Sequence, residues 1–570
     1  MAMIAEKLSR IIIAGAMMLF VASCAEKPAQ QLNGIVTAKT SAQHNSYAHS
    51  ELAAFMVGQY ALKKGDLAVA ADAFTIALAY DQNNPYLLNL AFQTQYYSGD
   101  IEAASDLAAR IERSDDYIML SGEPAAALVA IEQDWQALYV LAKHMAADGR
   151  SHQTGTIMAA WALAAQGQGD AGLVMLDTID QFQDGNVSQT RLSQQALMAE
   201  FMGHSDLAVA YALDILEQDH VDQNIVLDMA GILLRNDEAE EGKLWINRLG
   251  LRFPRNRLLT EIEAGTSPLL DYPSVISIMA TGIVTSQIDP TQNNYQPNSL
   301  ARLYLAAYLD QKNDYAKYLI AESYIDADLI DDGIAMLSLI PEHSPLFIEA
   351  RMSMVTALRS EESNKALALK IVNDLLDDYP DNSLVWAEKG LTAQRNFRHA
   401  EAEKAFMKAM ELGLDHGRIH YYLAITQADQ GKNDMAESSF RRSIELAPFN
   451  AYSLNYFGYW LIEQNRHLEE AKAFIQKAVD KQPENGAFVD SLGWVFYKLG
   501  DYDNALIFME RAAMLIPDDP VITDHLGDVY KALDQPVKAL HEWQRALVFS
   551  PDETLKAEIQ TKIARMLADE

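Results

Sequence analysis

The chain has 570 residues, of which 49% are hydrophobic and 22% charged, so it holds ample material for a buried core. This composition excludes disorder over most of its length. The formal charge of -34 would repel a phosphate backbone, whose binding needs clustered Lys and Arg. The sequence therefore argues against a nucleic-acid partner, and the acidity is typical of solvated outer helix faces.

Residues 1–23 predict an export signal. Lys7 and Arg10 precede an apolar run from Ile11 to Ala22, which is shorter than the roughly 20 residues that a membrane span needs. A basic start followed by a short apolar core is typical of a signal peptide. The sequence Val-Ala-Ser-Cys that ends at Cys24 resembles the lipobox of bacterial lipoproteins, in which the cysteine is acylated and becomes the first mature residue.

Cys24 is the only cysteine, so the chain has no structural disulfide, CxxC pair or thiolate metal cluster. An incidental cysteine after an ordinary signal peptide, or an uncleaved anchor, is the alternative to lipidation. The lipobox resemblance further implies the periplasmic face of the outer membrane, because Ala25 follows the cysteine in place of the Asp that often retains lipoproteins in the inner membrane. Polar, unpatterned residues 24–46 predict a flexible tether.

An internal period of 34 residues dominates the second half of the chain. Prolines that follow helical stretches recur at this spacing, with a double step between the first and the second and one added residue between the second and the third: Pro380, Pro448, Pro483, Pro517 and Pro551. Glycine, alanine and large apolar residues recur between them, as in DSLGW from Asp490 and DHLGD from Asp524. A 34-residue period of this kind is that of the tetratricopeptide repeat, a pair of antiparallel helices.

The sequence predicts an all-α fold, an α-solenoid of tetratricopeptide helix-turn-helix repeats in two superhelical halves. Residues 47–264 are predicted as degenerate tetratricopeptide-like repeats and residues 299–570 as the C-terminal array. Between them, residues 265–298 carry four prolines and an Asn pair around a short apolar stretch, and are predicted as an irregular junction. No segment shows the sustained period-two alternation of strands.

In a tetratricopeptide array the first helix of each repeat lines the concave face. Aromatic rings there would supply contact area, and amides and carboxylates would pair with peptide groups. The alternative is that the rings pack between repeats and the acids bond a neighbouring helix. The candidate protein-binding groove consists of Arg418, Tyr421, Tyr452, Asn455, Tyr459, Asp490, Trp494, Tyr497, Lys498, Asp524, Asp528 and Lys531.

The sequence carries no recognisable catalytic motif: P-loop, GxGxxG, HExxH and GxSxG are all absent. His416 and His420 have the i, i+4 spacing of helical metal ligands, but Gly417 marks a helix start between them. Carboxylate pairs such as Asp331–Asp332 follow from the abundance of acids. We therefore expect no enzyme activity, no cofactor and no metal site.

The lipobox and the repeats together resemble large tetratricopeptide lipoproteins of Gram-negative bacteria, particularly the alphaproteobacterial kind, and are similar in layout to the LbcA adaptor of the CtpA protease. The residues that carry this likeness lie at about 345–550 and include NYFGYWLIEQNRHLEEA and DSLGWVFYKLGDYDNAL. The resemblance implies a membrane-anchored periplasmic adaptor whose partners are proteins, among them a processing protease and cell-wall hydrolases. A scaffold for envelope assembly or polysaccharide export is the alternative.

Overall fold

The computed structural model describes residues 50–111, 122–147, 151–180, 188–218, 221–248, 261–265, 267–287, 297–359 and 364–569. These residues form helices and connecting turns, with no strand among them. The predicted all-α solenoid of helix pairs is therefore confirmed. The predicted signal peptide, with Cys24, and the tether lie outside the described residues.

The chain forms two compact units, residues up to 371 and residues from 372 on. The N-terminal unit begins with antiparallel helix pairs. These pairs are α1 Glu51–Lys63 with α2 Leu67–Tyr80, α3 Pro85–Tyr97 with α4 Ile101–Ile111, α5 Gly122–Ile131 with α6 Trp135–Ala147, α7 His152–Ala165 with α8 Gly169–Leu176, α9 Gln189–Phe201 with α10 Ser205–Leu216, and α11 Gln223–Arg235 with α12 Ala239–Arg248.

Each of these pairs turns through one residue with left-handed backbone, which reverses the chain between the two helices. The spacing is 34 residues except for one step of 36, so the tetratricopeptide period persists where the sequence pattern is eroded. The residues are Gly65, Gly99, Gln133, Gly167, Gly203 and Asp237.

The remainder of the N-terminal unit is also helical. It comprises a 3₁₀ turn at Pro268–Leu270, α13 Val275–Thr285, α14 Pro297–Leu309, α15 Asp314–Asp326, α16 Ile330–Ser338 and α17 Phe347–Leu358. Helix α18, Lys365–Asp378, crosses the division between the units.

Residues 267–287 and 297–309, here called the return segment, lie across the first helices of the N-terminal pairs. The Arg235 guanidinium at the end of α11 donates to the Leu269 carbonyl oxygen at 2.8 Å. The Tyr272 hydroxyl donates to the Leu197 carbonyl oxygen of α9 at 3.0 Å. Helix α13 then packs on α7 and α9, and α14 packs on α3 and α5. The return segment thus follows the first-helix face of the N-terminal unit, formed by α3, α5, α7, α9 and α11, in reverse chain order.

This arrangement differs from the irregular junction predicted over residues 265–298. The apolar part of that stretch is the 11-residue helix α13, whose Ile278, Met279, Ile283 and Val284 are buried. Burial of four such side chains contributes about 6–12 kcal/mol, which explains why the stretch folds onto the N-terminal unit. The division between the compact units lies instead between residues 371 and 372.

The C-terminal unit is a regular row of helix pairs. Its helices are α19 Ser383–Arg395 with α20 His399–Glu411, α21 Gly417–Asp429 with α22 Asn433–Leu446, α23 Ala451–Glu463 with α24 Leu468–Lys481, α25 Gly486–Lys498 with α26 Tyr502–Leu515, α27 Pro520–Ala532 with α28 Pro536–Val548, and the final α29 Glu553–Asp569. The turn between α23 and α24 has four residues, 464–467, where the neighbouring pairs have three. It holds the one-residue insertion that the proline spacing indicates.

Glycines allow the two helices of a C-terminal pair to approach closely. A Cβ added to Gly527 would lie 2.4 Å from Cδ1 of Trp543, and one added to Gly390 would lie 2.5 Å from Cε1 of Phe406. Atoms at these distances overlap, so only glycine fits opposite the large side chain of the second helix. This packing fixes the orientation of each first helix.

Candidate functional site

The predicted groove residues lie on α21, α23, α25 and α27, which form the first-helix face of the C-terminal unit. Side-chain caps set where α23, α25 and α27 begin. Asn450 Oδ1 accepts from the amide of Ser453 at 3.0 Å, and Asn485 and Asp519 cap the next two helices in the same way. Because the caps recur with the repeat, equivalent positions of successive helices face the same side.

Trp494 lies on α25 and joins three successive first helices. Its indole stacks on Tyr497 at 4.7 Å between ring centroids and on His525 of α27 at 3.9 Å. Its Nε1 donates to Glu463 Oε1 of α23 at 3.2 Å, and Lys498 Nζ lies 4.8 Å from the ring centroid. Trp494 is only 7% exposed, so it serves as a buried wall between repeats with little surface open to a partner.

Asp490 is also engaged within the protein. Its Oδ1 and Oδ2 lie 3.0 Å and 3.2 Å from Nδ1 of His525, and both side chains are buried. Burial alone would lower the pKa of His525, but the Asp490 carboxylate, with Asp524 and Asp528 nearby, raises it above its ordinary value. The pair is an ionic link between α25 and α27.

Asp524 and Asp528 meet a lysine of the final helix α29. Lys562 Nζ donates to Asp524 Oδ2 at 2.7 Å and to Asp528 Oδ2 at 2.8 Å. Trp543 Nε1 also donates to Asp528, at 3.2 Å, while the exposed Lys531 lies 5.8 Å from the Trp543 ring. Burial, together with the neighbouring Asp528, raises the pKa of Asp524. The two acids therefore already have a cation between them.

Tyrosines crowd the opposite end of the face. Tyr421 meets Tyr422 and Tyr456 edge to face, at 5.2 Å and 5.6 Å between centroids. Burial, with these neighbouring rings, raises the pKa of Tyr421. Arg418 is exposed, and its guanidinium lies 5.7 Å from the Tyr422 ring. This end is a half-open aromatic surface with a cation at its border.

The middle of the face, on α23, is open at Tyr452. Tyr452 is 58% exposed and touches the edge of Phe488 at 5.4 Å. Asn455 and Tyr459 are half-buried beside it on α23. Among the described residues, no hydrogen bond reaches the buried Oδ1 of Asn455. An exposed ring therefore lies on the same helix as an amide oxygen with unused capacity to accept a hydrogen bond.

The structure adds residues that the positional reasoning did not find. Tyr456 directly follows the predicted groove residue Asn455 in the sequence, and His525 directly follows the predicted groove residue Asp524. Glu463 at the end of α23 was not among the predicted groove residues, and it accepts a hydrogen bond from Trp494. Lys562 lies beyond Pro551, the last proline of the period, where no repeat pattern marks it.

The histidine pair at the start of α21, with His416 as the N-cap residue, is engaged in local contacts. His420 Nε2 lies 2.6 Å from Asp415 Oδ1, and burial lowers the pKa of His416. In the described part of the chain, no three His, Cys, Asp or Glu side chains are grouped closely enough to hold a metal ion. No helix in the described ranges combines the length and the apolar character needed to cross a membrane.

Comparisons with known proteins match this repeat pattern. Residues 387–451 and 457–520 match the family model of the tetratricopeptide repeat. The TPR repeat-containing protein PA4667 of Pseudomonas aeruginosa is 34% identical over 109 residues, and anaphase-promoting complex subunit 3 of Schizosaccharomyces pombe is 24% identical over 139 residues. The matches cover 18% and 24% of this chain, and 18% and 21% of those relatives. The chain thus spans about a fifth of the length of the curated relatives that it matches.

Solved structures also align with this chain. The crystal structure of the APC/C hetero-tetramer Cut9-Hcn1 aligns with 92% of this chain and 91% of its own at 16% identity, with a TM-score of 0.38. The structure of pilF from Pseudomonas aeruginosa aligns with 33% of this chain and 85% of its own at 20% identity, with a TM-score of 0.29. The C-terminal unit carries tetratricopeptide repeats, and such repeats point to a protein-binding scaffold.

Proposed function

We propose that the chain is a lipid-anchored periplasmic adaptor that binds other proteins on the first-helix face of its C-terminal unit and holds a processing protease near its cell-wall hydrolase substrates. The observation that carries the proposal is the open middle of that face. There the ring of Tyr452 is 58% exposed and lies on α23 with the half-buried Tyr459. An extended polypeptide offers side chains that can pack on these rings.

The buried neighbours support binding by keeping this face rigid. Trp494 connects three helices through its stacking and its hydrogen bond to Glu463, so the wall beside the open surface is fixed before a partner arrives. A preformed surface binds with less loss of conformational entropy. We therefore assign client contact to Tyr452, Asn455 and Tyr459, and a supporting role to Trp494 and Asp490.

Site-specific photo-crosslinking in living cells tests this assignment. A photoreactive phenylalanine analogue replaces Tyr452 in one strain and Met514 in a control strain. Met514 is 75% exposed on the second helix α26, so it is at least as accessible but lies on a different helix row. We expect discrete protein adducts at position 452 and none at position 514. Equal adducts at both positions, or none at either, contradict the proposal.

The identity of the crosslinked proteins distinguishes the protease adaptor from the alternative scaffold. A periplasmic protease or a wall hydrolase at position 452 supports the protease adaptor. Components of polysaccharide export or outer-membrane assembly support the scaffold alternative instead. Asn455→Ala in the crosslinking strain is expected to lower adduct yield at least fivefold, because a half-buried side chain that we assign to the client surface is removed.

The anchor is tested separately. Cys24→Ala removes the thiol that the lipobox resemblance marks for acylation. We expect the wild-type chain to incorporate a labelled fatty acid and to sediment with membranes, and the variant to do neither. Membrane sedimentation of an unlabelled wild-type chain would contradict lipidation at Cys24 without bearing on the binding face.

A further inference from the structure

An open cavity of about 220 Å³ lies in the N-terminal unit, where the return segment meets α11. Its walls come from α11, from Leu269 and Thr281 of the return segment, from the turn that joins α14 to α15, and from the turn before α17. All of these elements belong to one compact unit. The volume is below the roughly 300–1,000 Å³ of pockets that hold drug-sized molecules, so the cavity suits a smaller ligand.

Asp228 of α11 is the residue that points to a ligand. It lines the cavity, and no hydrogen bond or salt bridge reaches its carboxyl from the described residues. Burial raises the pKa of Asp228 to about 7, although the charge of Arg235 acts to lower it. A carboxyl group that is withdrawn from water usually has a cation or several N–H donors beside it. A cation that entered the cavity would supply the missing partner.

Two cations beside the cavity are already paired with other groups. The Arg235 guanidinium donates to Glu200 Oε2 at 2.7 Å and to the Leu269 carbonyl oxygen at 2.8 Å. The Lys317 ammonium donates to Asp314 Oδ1 at 2.8 Å. Each is held by hydrogen bonds that it would have to break to reach the Asp228 carboxyl.

The lining of the cavity is negatively charged overall. Asp310 and Asp314 line it together with Asp228, whereas Lys312 is the one basic residue among the described lining residues. Lys312 is exposed, and its backbone amide donates to Asp310 Oδ1 at 2.9 Å. Three carboxyl groups against one ammonium group favour a positively charged ligand.

The remaining walls favour an organic cation over a metal ion. In the part of the chain that the structure describes, no three acidic, histidine or cysteine side chains are grouped closely enough to hold a metal. Leu227, Leu269 and Leu346 line the cavity and offer apolar contact. The amide of Asn224 and the hydroxyl of Thr281 add hydrogen-bond acceptors. Such walls match a ligand with an ammonium head and a short apolar body.

We propose that this cavity binds an alkylammonium group, that its ammonium pairs with the Asp228 carboxylate, and that its apolar body packs on the leucines of the wall. A small free amine and the lysine side chain of a partner protein both carry this group, and the experiment below distinguishes these two sources. The proposal goes beyond the adaptor function and does not depend on client binding by the C-terminal unit.

The test is calorimetric titration of the full chain in mild detergent with pentylamine and with 1-pentanol, which has the same apolar body and a neutral head. We expect saturable binding of pentylamine and none of 1-pentanol, because only the amine supplies a cation to Asp228. This comparison uses the wild-type chain and needs no variant to fold. Equal binding of the two probes overturns the proposal.

A third probe, Nα-acetyl-lysine methylamide, distinguishes the two sources of the ammonium group. If it binds more tightly than pentylamine, the ligand is a lysine side chain of a partner protein. If it binds more weakly or does not bind, the ligand is a small free amine. Either result supports an ammonium site, whereas the absence of saturable binding by both amines overturns the proposal.

Two variants of equal charge show whether Asp228 is the partner of the ammonium. Asp228→Asn keeps the shape of the side chain and is expected to bind the amine at least tenfold more weakly, because a charged hydrogen bond is lost. Asp237→Asn is the control, since Asp237 is exposed in the turn after α11 and asparagine tolerates its left-handed backbone. We expect this control to bind as wild type does. Equal losses in the two variants would indicate unspecific attraction to an acidic protein, and unchanged binding in Asp228→Asn would likewise overturn the proposal.

Discussion

The Arg302 guanidinium donates two hydrogen bonds of 3.0 Å to Glu123 Oε1, although 179 residues separate the two side chains. Glu123 is fully buried, and the hydroxyl of Tyr96 donates to its other oxygen. The pair ties α14 to α5 and α3. The end of the return segment is therefore fixed to the early repeats by a buried salt bridge.

Removal of one partner leaves the other charge buried. Arg302→Met is expected to lower the free energy of unfolding of the N-terminal unit by about 3–5 kcal/mol, measured by urea denaturation. Combining it with Glu123→Leu is expected to restore part of that loss, because no charge then stays unpaired. The control Lys243→Met breaks the bond from Lys243 to the exposed Glu240 and should leave the midpoint unchanged. Equal shifts in Arg302→Met and the control would contradict the interpretation.

Much of the fold could be predicted from the sequence because the repeat period is local. Where glycine takes the left-handed turn position, as at Gly65 and Gly99, the period is visible in the sequence. Gln133 and Asp237 take the same left-handed turn position with φ of 58° and 64°, although neither is a glycine. The sequence pattern therefore does not show the repeat boundaries at these positions, although the structure has a helix pair at each of them.

The course of the return segment could not be predicted. The apolar stretch of α13 indicates a buried element, but its position on α9 depends on contacts such as that of Gly282 with Gln194, far apart in the chain. For the candidate site, repeat positions identified Trp494 and Asp490 correctly as residues of the first helices. The stacking of Trp494 on His525 and the hydrogen bond between Asp490 and His525 depend on how one repeat packs on the next, which the sequence does not show.

The turn position also makes a prediction for glycine substitutions. Gly500 has φ of 81°, and an added Cβ there would meet nothing within 4 Å. Asn465 and Asp534 take the equivalent turn positions of neighbouring pairs. Gly500→Asn is therefore expected to cost less than about 1 kcal/mol of unfolding free energy, whereas β-branched Gly500→Val is expected to cost about 2 kcal/mol or more. Thermal unfolding of the two variants side by side checks the order, and the reverse order would contradict it.

The ionic link between Asp490 and His525 predicts a pH dependence. The folded pKa of His525 is raised above its ordinary 6.5, so the charged ring stabilises the fold at pH values below 6.5. That contribution is lost as pH rises through the raised pKa. We expect the urea midpoint of the C-terminal unit to fall between pH 6 and pH 9.

His525→Gln is the control for this pH dependence, because glutamine keeps a hydrogen-bond donor that does not titrate. The groups facing His525 are Asp490, Asp524 and Asp528, with Lys562 beyond the last two. All four are present in the variant, so the difference between wild type and variant isolates the contribution of the ring. An equally steep fall in His525→Gln would assign the dependence to other groups.

Lys562 decides whether Asp524 and Asp528 are structural or available to a client. Lys562→Met leaves two neighbouring carboxylates without their cation, and Asp524 is 4% exposed. We expect the C-terminal unit to lose about 3 kcal/mol of unfolding free energy at pH 7. Part of this loss should return at pH 5, because burial and Asp528 already raise the pKa of Asp524 and protonation removes the repulsion.

Lys556→Met on the same helix breaks only the exposed bond to Glu553 and is the control. If Lys562→Met instead keeps full stability while crosslinked adducts increase on α27, the two acids are client contacts that Lys562 screens.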